Sequence, residues 1–217
     1  MTHLQHGRVR LALHQLSQEE GPTLLLLHAL YESSRSWGDL PQHWPGAVYG
    51  LDFSGHGESD RIRGGAYFAE ILMGDADVAL AHIGPAAIAG AGIGAYVALL
   101  LAGARPDQVP AALLLPGAGL AGGGADPDYT APFAVPIAAA SADGGGETDP
   151  FLRLLESDVR PPDYAGRFAS AARRLFLVED STPPPWWSEV ARSASAEQAP
   201  PNPNQALKLL GSACVAV

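Results

Sequence analysis

The run Gly90-Ala91-Gly92-Ile93-Gly94 has the frame of G-x-S-x-G, the strand-to-helix turn that holds a nucleophile in a strained conformation with its oxygen facing substrate. The oxygen is missing, because Gly92 stands at the central position. Glycine reaches positive φ without steric cost, so the turn keeps its shape while losing its chemistry, and serine, cysteine and aspartate nucleophiles are excluded there. Read on to Ala95, the same glycines also satisfy G-x-G-x-x-G/A after a strand and at the start of a helix. That alternative is a dinucleotide-binding protein with a pyrophosphate at the helix N-terminus. It requires an acidic residue about 20 positions on, and Pro110–Gly117 holds no Asp or Glu.

Other residues with chemical potential are scattered. His28 and His56 are expected to brace loops by hydrogen bonding, and His14, His43 and His82 to lie on the surface or on helices. Asp75, Asp77 and His82 have no converging metal-ligand spacing and read as a solvated helix face, so no metal and no cofactor is expected. Trp186-Trp187, after Pro183–Pro185, suits either a ligand cleft or packing on the sheet edge. The single cysteine, Cys214, rules out an internal disulfide and reads as a small buried hydrophobe.

These residues sit in a chain of ordinary globular composition, 217 residues with 47% apolar and 17% charged, long enough for one well-buried domain over 1–217. The net charge of −10 disfavours nucleic acid and anionic membranes as partners, since both are bound through clustered Lys and Arg. Residues Met1–Glu20 show no apolar core of a signal peptide, so a cytoplasmic location is expected. The uncharged window Ala86–Ala104 is read as strand, tight turn and buried helix, not as a membrane span.

The elements that must position the turn alternate along the chain. Strands are expected at Arg8–His14, Leu24–Leu27, Ala47–Asp52, Ala86–Ala89, Ala111–Leu115 and Arg174–Val178. Helices are expected at Ser36–Gln42, Tyr67–Ile83, Ala95–Ala104, Phe151–Glu156 and Trp187–Ser195. Alternation of this kind predicts an α/β fold with a mostly parallel sheet and right-handed crossovers. Between Gly117 and Ala172 the pattern dissolves into Gly, Pro, Ala and Asp, with Gly122–Gly124 and Gly144–Gly146 as hinge-like runs; 118–172 reads as a variable cap inserted into the domain. Ala199–Pro203 is a proline-rich connector, Asn204–Leu210 a last helical turn, and Ala213–Val217 a final strand pairing in parallel with Arg174–Val178.

Four markers occur in order: Gly21-Pro22-Thr23-Leu24-Leu25-Leu26-Leu27-His28, then Ser36-Trp37, then Asp52-Phe53-Ser54-Gly55-His56-Gly57-Glu58-Ser59, and the turn centred on Gly92. In this the chain resembles the α/β-hydrolase superfamily, of esterase or small-molecule hydrolase type, over roughly Val9–Val178. The resemblance implies a predominantly parallel central sheet flanked by helices, with Gly92 at the nucleophile position. It implies oxyanion donors at the backbone N–H of Ile93 and of the loop after His28, at Ala29 or Leu30, and a pocket lined by His28, Ala29, His56 and Trp37. His28-Ala29 replaces the usual His-Gly, a departure that narrows the space beside the oxyanion site. The acid follows the penultimate strand, making Asp180 the candidate and Glu179 the second, without the usual Gly-x-x-Asp spacing.

The family's histidine lies in the loop after the last strand, and no histidine occurs after His82. Ala206–Val217 resembles the helix and strand that precede that loop, so the chain reads as truncated one loop early, with a recoded tail as the other account. The expected function is that of a hydrolase descendant impaired in catalysis that binds a small hydrophobic or acyl-like ligand. Residual hydrolysis by a non-serine mechanism is a further alternative.

Overall fold

The computed structural model describes residues 1–120, 149–156, 158, 160–180 and 182–215. Its organising strand is β3 (Leu24–Leu27), four leucines that are all buried, as suits a strand covered on both faces. β3 pairs in parallel with β4 (Ala47–Asp52) on one side and β5 (Ala87–Ala91) on the other. Beyond β5 the parallel sheet continues through β6 (Ala112–Leu115), β7 (Leu175–Val178) and β8 (Ala196–Ala199). Beyond β4, β2 (Val9–Gln18) pairs antiparallel with both β4 and the edge strand β1 (Thr2–His6). The described residues thus form one eight-stranded sheet in the order β1-β2-β4-β3-β5-β6-β7-β8.

Side chains alternate between two cores with the strand period of two. Leu25, Leu27, Ile88, Leu114 and Leu177 face the layer of α1 (Ala69–Ile83), α2 (Ile93–Ala104), α3 (Pro162–Ala171) and α4 (Pro185–Val190). Leu24, Leu26, Ala89, Leu113 and Phe176 face Trp44 and α5 (Pro203–Val215). Each fully buried leucine contributes roughly 1.5–3 kcal/mol relative to exposure. The window Ala86–Ala104 divides into β5 and α2, and among the described residues no helix is long and apolar enough to cross a membrane.

Three departures from the sequence reading matter. The tail is not a strand: Pro203–Val215 is helix α5, with Leu207 and Leu210 buried on the sheet. The last strand is β8, Ala196-Glu197-Gln198-Ala199, which pairs with β7 where Ala213–Val217 was expected. The loop after β8 is therefore Pro200-Pro201-Asn202. A short apolar run satisfies either period, whereas the amphipathic spacing of Ala206, Leu207, Leu210 and Ala213 is helical.

Second, Ser36–Gln42 is not one helix but two 3₁₀ turns, Ser34–Trp37 and Leu40–His43, separated by Gly38 at φ 50°. Third, α3 lies within the segment read as an insertion, yet packs beside α2 in the regular helix layer. Gly103 permits that approach, since a Cβ there would stand 2.5 Å from the Phe168 carbonyl oxygen. Phe151–Glu156 is a 3₁₀ helix over Pro150–Leu155, and the glycine runs 122–124 and 144–146 lie outside the described residues.

Candidate active site

The turn between β5 and α2 has the shape its glycines require. Gly92 caps α2 at φ 55°, ψ −118°, a conformation that L side chains rarely adopt. The flanking glycines allow strand and helix to touch: a Cβ at Gly90 would lie 2.2 Å from the Gly94 oxygen, and one at Gly94 would lie 2.1 Å from the Leu27 oxygen. At Gly92 itself a Cβ would lie 2.0 Å from the Ala118 oxygen and 2.7 Å from the Ala118 nitrogen. The space a nucleophile would need is filled by main chain from the loop after β6.

That loop also takes up the two backbone N–H groups expected to serve as oxyanion donors. The N–H of Leu30 donates to the Ala118 carbonyl oxygen at 3.1 Å, and the N–H of Ile93 donates to the same oxygen at 3.0 Å. These are the donors expected at Leu30 and Ile93, converged on one acceptor that belongs to the chain itself. The loop is pinned further along, where the Leu120 N–H donates to the Leu155 oxygen at 2.9 Å and the Trp186 indole N–H donates to the Leu120 oxygen at 3.2 Å. Its glycines make the approach possible: a Cβ at Gly117 would meet the Gly92 nitrogen at 2.8 Å, and one at Gly119, at φ 99°, would meet Ile93 and Leu30 side chains at 2.9 Å. After Leu30 the chain turns through Tyr31 at φ 66°, whose phenol is pushed up in pKa by burial and by neighbouring Glu156.

The two histidines brace the floor. His28 accepts from the Phe53 N–H at its Nε2 (3.1 Å) and contacts the Ala29 oxygen through Nδ1 (2.8 Å). A ring nitrogen that accepts from a backbone N–H while the other donates to a carbonyl is the neutral form. The His56 ring packs 4.9 Å from that of His28, and its Nδ1 reaches the Ser54 oxygen at 3.2 Å. His28, Ala29 and His56 are buried, while Trp37 packs against the opposite core with Leu24 and Trp44. Asp52 of the glycine-rich segment accepts from Ser34 N–H (2.7 Å), Glu58 N–H (2.9 Å) and His14 Nε2 (3.1 Å). Burial opposes its ionisation, but these hydrogen bonds prevail and hold its carboxyl well below the usual carboxylate range.

Asp180 follows β7 and shares a cleft of about 580 Å³ with Gly92, Leu115–Leu120, Glu156, Thr182, Pro184, Trp186 and Trp187. The cleft lies beyond the carboxyl ends of β5, β6 and β7, where open α/β sheets bind ligands. Trp186 and Trp187 line the cleft and are buried in the core on the helix side. Glu179 is exposed, and His28, Ala29, His56 and Trp37 are not among the cleft residues. Asp75 is a correction: it is buried, not solvated, and accepts from Ser54 N–H (2.9 Å) and Ser54 hydroxyl (2.7 Å) while pairing with His6 Nδ1 (2.7 Å). Asp77 is half-buried and pairs with Arg105. Among the described residues no group of three or more His, Cys, Asp or Glu is placed to hold a metal ion.

The site residue that sequence reasoning missed is Ala118. Its contribution is a carbonyl oxygen, which every residue type carries; the only signal was the pair of glycines around it.

No family model and no curated protein matches the chain. Solved structures do. A hypothetical protein, PA1622, from Pseudomonas aeruginosa PAO1 superposes with a TM-score of 0.71 at 18% identity, covering 99% of this chain and 98% of its own. An α/β hydrolase from Sphaerobacter thermophilus DSM 20745 gives 0.71 at 16% identity, with 98% and 100% covered. The bottromycin epimerase BotH, solved with bottromycin A2, gives 0.69 at 18% identity, with 100% and 99% covered. Taken with the sheet order and the turn at Gly92, these end-to-end likenesses show that the chain has the fold of the α/β hydrolases.

Proposed function

We propose that this protein is a catalytically impaired descendant of a serine hydrolase that binds a small, largely apolar ligand in the cleft beside Trp186 and Trp187. The observation that carries the reading is the Ala118 carbonyl oxygen, held by the N–H groups of Leu30 and Ile93. Ester and thioester cleavage needs those two donors for the oxyanion of the tetrahedral intermediate, and it needs a nucleophile at the turn. Residue 92 is glycine and carries no nucleophile, and the loop that takes the donors also fills the space a side chain at 92 would need; both observations support the reading. A dinucleotide pyrophosphate would need the same α2 N–H, so the loop counts against that alternative too. The epimerase among the structural neighbours supports a use of this fold other than hydrolysis.

The test is labelling with a fluorophosphonate together with hydrolysis of short activated esters. The expected result is no stoichiometric adduct and no turnover above background. The variant Gly92→Ser is expected to stay inactive, because its Cβ meets the Ala118 oxygen and the loop Pro200-Pro201-Asn202 after β8 holds no histidine. An adduct at any serine of the wild-type protein, or turnover by the variant, would overturn the reading.

A further inference from the structure

We infer that the cleft takes a ligand carrying a protonated amine on an apolar body, a deepening of the binding function proposed above and dependent on it. An α/β-hydrolase site with open donors attracts an oxyanion. Here the donors face inward, with the N–H groups of Leu30 and Ile93 on the Ala118 oxygen and the indole N–H of Trp186 on the Leu120 oxygen. Among the described lining residues the charged side chains are the carboxylates Asp180 and Glu156, and none is Lys, Arg or His. The remaining walls are apolar, chiefly Pro116, Pro184, Trp186 and Trp187. A cleft of this make-up rejects a carboxylate and favours a cation whose body buries against proline and indole.

The two acids differ in how available they are. Asp180 is partly exposed, its Oδ1 accepts from the Thr182 N–H at 3.0 Å, and among the described residues no cation pairs with it. That hydrogen bond fixes the carboxylate at the cleft. Glu156 lies beside Tyr31 and has the Arg153 guanidinium at 3.9 Å. Both members of that pair are about half exposed, so solvent screens the attraction, while the Tyr31 hydroxyl donates to the same carboxylate; Glu156 is therefore the lesser of the two acids. The overall charge of −10 adds a field that draws cations to the molecule.

The test is calorimetric titration of the protein with three probes of one shape: 2-phenylethylamine, 2-phenylethanol and 3-phenylpropionate. The expected result is saturable 1:1 binding of the amine, about threefold to fivefold tighter than the alcohol, with the propionate weakest; that is the order expected for one half-exposed charge pair. Asp180→Asn is expected to bring amine affinity down to that of the alcohol, and Glu156→Gln to weaken the amine less. Alcohol or propionate binding as tightly as the amine overturns the charge assignment and leaves the binding function standing. If all three probes fail to bind, both fall. Equal amine affinity in wild type and Asp180→Asn overturns the role of Asp180.

Discussion

Gly92 carries two constraints that act in the same direction. Its torsion angles lie where an L side chain is strained, and the volume a Cβ would take is held by a backbone carbonyl, which cannot swing aside as a side chain can. Strain at such a position costs about 1–3 kcal/mol, and forcing an extra methyl against fixed main chain costs a similar amount. The variant Gly92→Ala is therefore expected to lose more than about 2 kcal/mol of unfolding free energy in urea titration. An alanine variant within 0.5 kcal/mol of wild type, roughly the noise of neutral surface changes, would mean that the loop gives way and the closed site is soft. Gly92 was legible in sequence because glycine at the centre of G-x-S-x-G is a visible loss. Ala118 was not, because the group that matters is common to all residues and its partners are 25 and 88 positions away in the chain, roughly speaking a tertiary fact with no local signature.

At the scale of elements, the edge strand β1 is tied to α1 by His6 and Asp75, 2.7 Å apart, with the Asp75 side chain fully buried. A Cβ at Gly74 would stand 2.6 Å from the His6 ring, so the glycine admits the histidine. The hydrogen bond to Asp75 raises the His6 pKa above its ordinary 6.5, burial working against it. A histidine raised on folding contributes stability that is fully present below pH 6.5 and is lost as pH rises through the folded value. His6 is 34% exposed, which keeps the contribution to roughly 1 kcal/mol or less. Stability measured by urea titration is expected to fall from pH 6.5 upward in wild type more than in His6→Gln; parallel pH profiles would contradict the clip.

The same scale shows where sequence patterns speak and where they are silent. Leu24–Leu27 was legible as a strand from four apolar residues fenced by Gly21-Pro22 and His28. Ala196–Ala199 was not, because Ala-Glu-Gln-Ala has no β-branched or aromatic residue and its place is set by pairing with β7. Asp75 was misread as solvated because helical spacing on α1 gives no sign that β1 folds across it. The end of α5 was misread as a strand because apolarity alone does not choose between a period of two and one of 3.6.

For the molecule as a whole, the sheet order delivers the ends of β3, β5, β6 and β7 to one rim. Everything the site needs is on that rim: Leu30 after β3, Gly92 and Ile93 after β5, Gly117–Gly119 after β6, and Asp180 after β7. The α/β fold, its parallel centre and the position of the turn were all readable from alternating elements. The closure of the site was not, since it arises only when two of these loops meet. The fold of the α/β hydrolases is retained, and the loop after β6 places the Ala118 oxygen on the N–H groups of Leu30 and Ile93.

Amide hydrogen exchange at Leu30 and Ile93, followed residue by residue by NMR, tests that occupation most directly. Both N–H groups are expected to exchange as slowly as the core amides of Leu26 and Ala89, because each is spent on the Ala118 oxygen within a loop pinned at Leu120. Exchange of Leu30 and Ile93 at the rate of open loop amides, with Leu26 and Ala89 protected, would show two free donors at the turn and contradict the closed site.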